Sequence, residues 1–280
     1  MAQLGSSRLS PEGFLAAHFG LAGKTAVVTG GGGTLCGAMA KGFALAGANV
    51  ILWGRGQASM DETVRMIAAA GGESTRVATV VADLADEAQI VAALQASVAR
   101  FGRVDILLNG VGGSSVRRPL VELDQQDFRS VVELNLLAGC LLPTKHVAAY
   151  WIRQGIRGAV INMASMGSYI PLSGGWAYSA AKAAVVNQTM AHARELAPHG
   201  IRVNALAPGF FLGKQNRRLL VQEDGTPTAR GHAVLDHTPL GRFGNPDDLV
   251  GAAVFLASDG AAFVSGVTLP VDGAFLCHGI

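Results

Sequence analysis

The sequence is poor in the features that mark specialised chains. It has three cysteines, Cys36, Cys140 and Cys277. An odd, widely spaced set excludes a disulfide framework and has no metal-ligand spacing, so no metal is expected. A reducing compartment, the cytoplasm, is the simplest expectation. Charged residues are 15% of the chain and the net charge is +2. That balance does not make a nucleic-acid surface. With 50% hydrophobic residues, it does not make a disordered chain either. No apolar run reaches the roughly 18 residues of a membrane span. The opening "MAQLGSSRLSPEGFLAAHFG" has no charged segment followed by an apolar one, so no signal peptide is expected. The 37 glycines are dispersed, with no collagen period or linker block.

What is present is alternation. Short apolar strands at 24–29, 49–53, 75–84, 104–110, 158–165, 201–208 and 266–273 are separated by helical patterns at 35–47, 60–72, 86–102, 123–155, 176–200 and 245–258. The 123–155 stretch invites a bend near Gly139 or Pro143. Near-continuous apolar strands joined by helices imply a parallel sheet covered on both faces. Right-handed crossovers then give an α/β, Rossmann-type doubly wound sheet. No composition shift marks a second domain. The expected division is an extension, 1–20, and a single domain, 21–280. Residues 209–244 break the alternation with a long polar loop, and loops of that length are usually functional.

"TGGGGTLCG", residues 29–37, lies at the first strand-to-helix turn, where backbone N–H groups and a helix N-terminus can receive a pyrophosphate. Its glycines match neither G-x-G-x-x-G nor the G-x4-G-K-[ST] loop of NTPases, which would need a lysine where Ala38 stands. A purely structural turn stays open. The second strand ends in "WGRG", so Arg55 occupies the place of the acidic residue that accepts from NAD ribose hydroxyls. A guanidinium there favours a 2′-phosphate and hence NADP; a solvated surface arginine is the alternative.

Tyr178 and Lys182 stand four residues apart on a helical pattern, one turn along one face. A phenol near pKa 10 is a poor acid–base group at neutrality, and a neighbouring ammonium brings it down. Ser165 ends a strand thirteen residues before Tyr178, at the carboxyl edge where open sheets hold ligands. Asn135 lies in a long helix, where a buried amide needs partners.

In joint order and spacing these residues resemble the short-chain dehydrogenase/reductase family over residues 21 to 275. The matching features are Thr29-Gly30, Asp83-Leu84, Asn109-Gly110-Val111-Gly112, Asn135, Ser165, Tyr178-x3-Lys182 and Pro208-Gly209. The resemblance implies a tetrad of Asn135, Ser165, Tyr178 and Lys182. Tyr178 would be the general acid/base and Ser165 would orient the substrate oxygen. Lys182 would lower the Tyr178 pKa and hold the nicotinamide ribose, and Asn135 would support a relay water. It also implies cofactor contacts from Thr29, Gly30, Gly32, Gly33, Thr34, Leu35, Arg55, Asp83, Leu84, Asn109, Gly110, Val111, Tyr178, Lys182, Pro208, Gly209 and Phe211. In the family's T-G-x3-G-x-G loop, Thr34 and Cys36 take the last two glycine positions here.

A narrower resemblance, carried by "APGFFLGKQNRRLL", "DGTPTARG" and "HTPLGRFGNPDDL", is to the D-mannonate oxidoreductase (fructuronate reductase)-like group. It implies a keto sugar acid as substrate. Gln215, Asn216 and Arg217 would meet its hydroxyls and carboxylate, with Ser165; Arg117, Arg118, Arg218, Arg230, His232 and His237 are further candidates. The same groups can equally form a solvated lid or an oligomer contact. Gly213 replaces a threonine of that group, and "PLSGGWAY" lacks its basic residue before the tyrosine. Two other readings remain: a reductase of a ketoacyl thioester or apolar ketone, and a non-catalytic dinucleotide sensor. The expected partner is a small carbonyl or alcohol substrate, with no nucleic acid and no membrane. The family resemblance also implies a homotetramer.

Overall fold

The computed structural model describes residues 10–114, 118–172, 174–213 and 216–278. Seven strands form a single parallel sheet in the order β3-β2-β1-β4-β5-β6-β7. They are β1 (Thr25–Thr29), β2 (Asn49–Gly54), β3 (Val77–Val81), β4 (Ile106–Asn109), β5 (Ala159–Met163), β6 (Arg202–Pro208) and β7 (Thr268–Val271). The order reverses between β1 and β4, so a crevice opens there at the carboxyl edge.

The strands are apolar on both sides because both faces are covered. Val28, Leu52, Leu108, Ile161 and Leu206 share a core with Met39 and Phe43 of α2 (Thr34–Leu45), and with Ala253 and Leu256 of the helix Val250–Ala257. Their neighbours Val27, Ile51, Leu107 and Val160 point the other way. They meet Ile90 and Leu94 of the helix Glu87–Phe101, and Val147 and Trp151 of the helix Leu142–Gln154. Period-two alternation thus feeds two cores instead of a core and a solvent face.

Two stretches depart from the sequence expectation. The 123–155 helix is continuous and does carry an irregularity, but it is a π segment: α-helix Gln125–Val132, π-helix Glu133–Leu141, α-helix Leu142–Gln154. Pro143 has no N–H to return to the carbonyl of Gly139, and Leu142 N–H bonds Leu137 O, five residues back. The expected loop at 209–244 contains two short helices, Arg217–Leu220 and Ala229–Asp236, and two β-bridges, Phe211 with Gly244 and Val221 with Pro227. A four-residue helix is too short to show a hydrophobic period. The extension is helical over Pro11–Phe19, with Ser10 as its N-cap. Arg117 and Gln215 lie outside the described residues.

Candidate active site

The site is assembled from the carboxyl ends of β1, β4, β5 and β6. Gly30 turns the chain out of β1 with φ +64°, and a Cβ there would press on the Gly110 carbonyl at 3.0 Å. Only glycine meets both demands cheaply. The two loops flanking the crevice are tied together: Gly110 N–H donates to Thr29 Oγ1 (2.9 Å) and the Cys36 thiol donates to Gly110 O (3.6 Å). The N-cap of α2 is Gly33, which offers no side-chain cap, and the helix's first turn carries no acidic residue. An uncapped helix end behind a glycine loop suits a phosphate.

The tetrad residues converge below this loop. Ser165 follows β5 and is buried. Tyr178 and Lys182 lie on α7 (Trp176–Leu196), whose first turns are rich in alanine and so let the helix pack closely. Lys182 is buried, and its ammonium donates to the Met163 carbonyl at 2.7 Å, 5.7 Å from the centre of the Tyr178 ring. Asn135 sits in the π segment and clamps Gly113: its Nδ2 donates to Gly113 O (2.7 Å) and to Val131 O (2.9 Å), and its Oδ1 accepts from Gly113 N–H (2.9 Å). Gly112 threads between Asn135 and Lys182, where a Cβ would stand 2.7 Å from Asn135 Oδ1 and 3.0 Å from Lys182 Nζ. All four members thus belong to one assembly.

Burial sets the electrostatics. It pushes Lys182 down to about 8 and the thiols of Cys36 and Cys140 up to about 12, the Lys182 charge opposing in both. Burial also raises Tyr178, and the influence that holds it down is a hydrogen bond with Ser165. The Lys182 ammonium, to which the sequence reading gives that task, is held at Met163 O.

Several residues expected to touch cofactor point their side chains elsewhere. Asn109 turns into the core, its Nδ2 donating to Thr144 Oγ1 and Asn162 Oδ1, both at 2.8 Å. Leu84 and Phe211 are core side chains, and Leu35 packs against the core. Val111 packs against the other core, and Thr29 Oγ1 is the strut to Gly110. Asp83 caps its own turn through Ala85 N–H (3.1 Å). Of these, Leu35, Asp83 and Val111 are half-buried, and Thr29, Leu84, Asn109 and Phe211 are buried. Pro208 closes β6, and Gly209 bonds Val271 O at 3.0 Å. Gly32, Gly33 and Thr34 form the turn into α2, and Arg55 is exposed beyond β2.

The segment after β6 folds back over the glycine loop, so that a Cβ on Gly213 would lie 3.5 Å from Thr34 Oγ1. Asn216, expected to bind substrate, instead secures this segment: its Nδ2 donates to Phe211 O (2.7 Å) and its Oδ1 accepts from Gly213 N–H (2.8 Å). Arg217, Arg218 and His232 are exposed. His237 packs beside His278, ring centres 4.9 Å apart. Arg118 pairs with Asp127 (3.3 Å), and its carbonyl accepts from Trp176 Nε1 (3.2 Å). Among the described residues no cluster of His, Cys, Asp or Glu is arranged to hold a metal ion.

A nicotinamide dinucleotide fits the donor set: a helix end without a side-chain cap for phosphate and a buried ammonium with one acceptor among the described residues. Residues 34–275 match the family model described as enoyl-(acyl carrier protein) reductase. The chain belongs to the short-chain dehydrogenase/reductase family. It is 40% identical over 276 residues to an oxidoreductase named UxuB from Bacillus subtilis, covering 93% of this chain and 98% of that one. A solved structure described as a D-mannonate oxidoreductase from Haemophilus influenzae, with bound NAD, is 35% identical with a TM-score of 0.85, covering 95% and 99% of the two chains. A gluconate 5-dehydrogenase from Burkholderia cenocepacia, in complex with NADP and tartrate, is 33% identical with a TM-score of 0.84, covering 94% and 99%. This short-chain dehydrogenase/reductase is an NAD(P)-dependent oxidoreductase that interconverts a secondary alcohol and a ketone. The four side chains named from the sequence lie together here. Sequence reasoning missed the Met163 carbonyl that holds Lys182 and the glycines that Asn135 clamps, because a backbone atom leaves no mark in residue type.

Proposed function

We propose that the secondary alcohol is that of a sugar acid, interconverted with its keto form, and that NADP(H) is preferred over NAD(H). The observation that carries the reaction is the seating of Lys182, Tyr178 and Ser165 around one point at the carboxyl edge of β5. A dinucleotide held by the glycine loop and Lys182 would supply or accept the hydride. Tyr178 passes the proton to or from the substrate oxygen. Ser165 holds that oxygen and, by its hydrogen bond, favours the phenolate. Lys182, fixed at Met163 O, keeps its remaining N–H donors for ribose hydroxyls. Asn135 holds the 112–113 turn against Lys182.

The sugar-acid reading is supported by the similarity to the mannonate and gluconate oxidoreductases and by Arg217 and Arg218 on the helix after the β6 loop. Gln215 remains a candidate contact on sequence grounds. Arg55 supports NADP: it is exposed beside the next helix, Gln57–Ala69, whose N-cap Gly56 gives no side-chain cap, a suitable place for a 2′-phosphate. The test is NADPH and NADH oxidation followed with D-fructuronate, other keto sugar acids, a diketone and a ketoacyl thioester. Turnover of a keto sugar acid with NADPH is the expected result. Turnover confined to apolar ketones or the thioester discards the sugar-acid reading.

We also propose a homotetramer working in the cytoplasm. Exposed Met190 on α7, and Phe263, Val267 and Leu269 at and before edge strand β7, are apolar surface suited to subunit contact. Cys36 and Cys140 are free buried thiols, in keeping with a reducing compartment. Light scattering on the purified protein checks the assembly; a monomeric mass at micromolar concentration contradicts it.

A further inference from the structure

The chain leaves β5 in a tight turn. Ala164 N–H makes the last bond to β6, to Leu206 O at 2.8 Å. The next N–H, that of Ser165, is taken by a side chain: it donates to Ser168 Oγ at 3.2 Å. The same Ser168 hydroxyl donates to the carbonyl of Lys182 at 2.8 Å. One oxygen atom therefore joins two tetrad residues that belong to different elements, the end of β5 and the second turn of α7. The Ser165 Oγ accepts from Gly167 N–H (3.0 Å) inside the turn that Ser168 closes. The direction of the Ser165 hydroxyl, and so its approach to Tyr178, depends on how that turn is wound.

We propose that Ser168 is a positioning residue of this enzyme, stapling the Ser165 turn to the Lys182 turn of α7 so that the Ser165 hydroxyl meets Tyr178. The proposal rests on the tetrad roles given above and adds a residue that touches neither substrate nor cofactor. Alanine at 168 strands the Ser165 N–H and cuts the turn loose from α7 at that point. It should still fold, because the far end of the same loop is held separately by Leu172 N–H donating to Ser179 Oγ (3.2 Å). Lys182 O keeps its place in the α7 ladder. The loss is then one of aim and not of architecture.

The chain has only three tyrosines, Tyr150, Tyr169 and Tyr178, so ring-carbon labelling of tyrosine, with Tyr178→Phe as the assignment control, reads the Tyr178 titration by NMR without any substrate. Ser168→Ala is expected to raise the Tyr178 midpoint above wild type, since the Ser165 hydrogen bond that holds it down is loosened. Ser168→Thr, which keeps the hydroxyl, is expected to bring it back. In turnover, Ser168→Ala should lower kcat about tenfold while the NADPH Kd stays within about twofold, the pattern for a lost transition-state contact. An unchanged Tyr178 midpoint in Ser168→Ala overturns the proposal, even if the thermal midpoint falls, because a merely structural serine would do just that. Ser165→Ala separates the two levels: if it too leaves Tyr178 unmoved, the tetrad reading fails with it. If the midpoint rises in Ser168→Ala while no keto sugar acid is turned over by wild type, the substrate reading fails and the role of Ser168 stands.

Discussion

Lys182 carries a buried charge whose protein acceptor is the Met163 carbonyl. Its folded-state pKa is lowered to about 8 from 10.5 by burial. Between those values the unfolded chain binds the extra proton at Lys182, so this group's own contribution to stability rises with pH across that window. The penalty of the buried ammonium is present in full below about 8. Above about 9 the thiols of Cys36 and Cys140, raised by burial, work the other way, so urea unfolding at about pH 8 and about pH 9 should show this rise in wild type and lose it in Lys182→Met. An equal slope in the variant would assign the effect to another group. Tyr178 predicts a different signature. Tyr178→Phe removes the proton carrier, so turnover should fall about a hundredfold or more while NADPH affinity, read by fluorescence titration, is nearly kept. The tyrosine–lysine spacing and Ser165 were legible in the sequence because their chemistry lies in side chains at fixed intervals. Ser168 was not: a serine three residues past another has no distinctive pattern, and its partners are an N–H and a carbonyl that every residue owns.

At the scale of elements, the π segment Glu133–Leu141 explains why Asn135 reaches Gly113. The extra residue in the turn bulges the helix toward the β4 loop, and Gly139 permits the approach: a Cβ there would collide with the Val111 carbonyl, a backbone atom with little freedom. Gly139→Ala should therefore destabilise the fold by ~1–3 kcal/mol and displace the Gly112–Gly113 turn from Lys182, weakening cofactor binding as well. Denaturant midpoints together with NADPH titration test the pair of effects; loss of stability with unchanged cofactor affinity would show that the turn does not follow the helix. Gly139 and Pro143 signalled a bend in the sequence, but not its kind. A missing N–H at Pro143 predicts a broken ladder, and only the fold decides whether the helix kinks or passes into a wider turn. The helices inside 209–244 escaped notice for a simpler reason. At four and eight residues they are shorter than the periods that reveal helices.

For the whole molecule, the reversal of strand order between β1 and β4 brings the glycine loop, the β4 loop and the tetrad to one edge. The doubly wound parallel sheet was legible from the alternation of apolar strands and helices. The division of labour along the crevice was not. Side chains expected at the cofactor, Asn109 and Leu84 among them, turn into the core, while Arg55 stands exposed beyond β2 as a charge that can discriminate between dinucleotides. Arg55→Asp should swing the preference from NADPH toward NADH by about tenfold or more, as a charge-assisted phosphate contact is exchanged for repulsion. Ratios of kcat/KM for the two cofactors measure it directly, and an unchanged ratio would leave Arg55 as a solvated surface residue.

The most direct measurement is the absorbance of NADPH during incubation of the purified protein with D-fructuronate and related keto sugar acids, run in parallel with Tyr178→Phe. The account predicts steady oxidation by wild type, slower with NADH, and essentially none by the variant. Equal rates in wild type and Tyr178→Phe would contradict it at its centre.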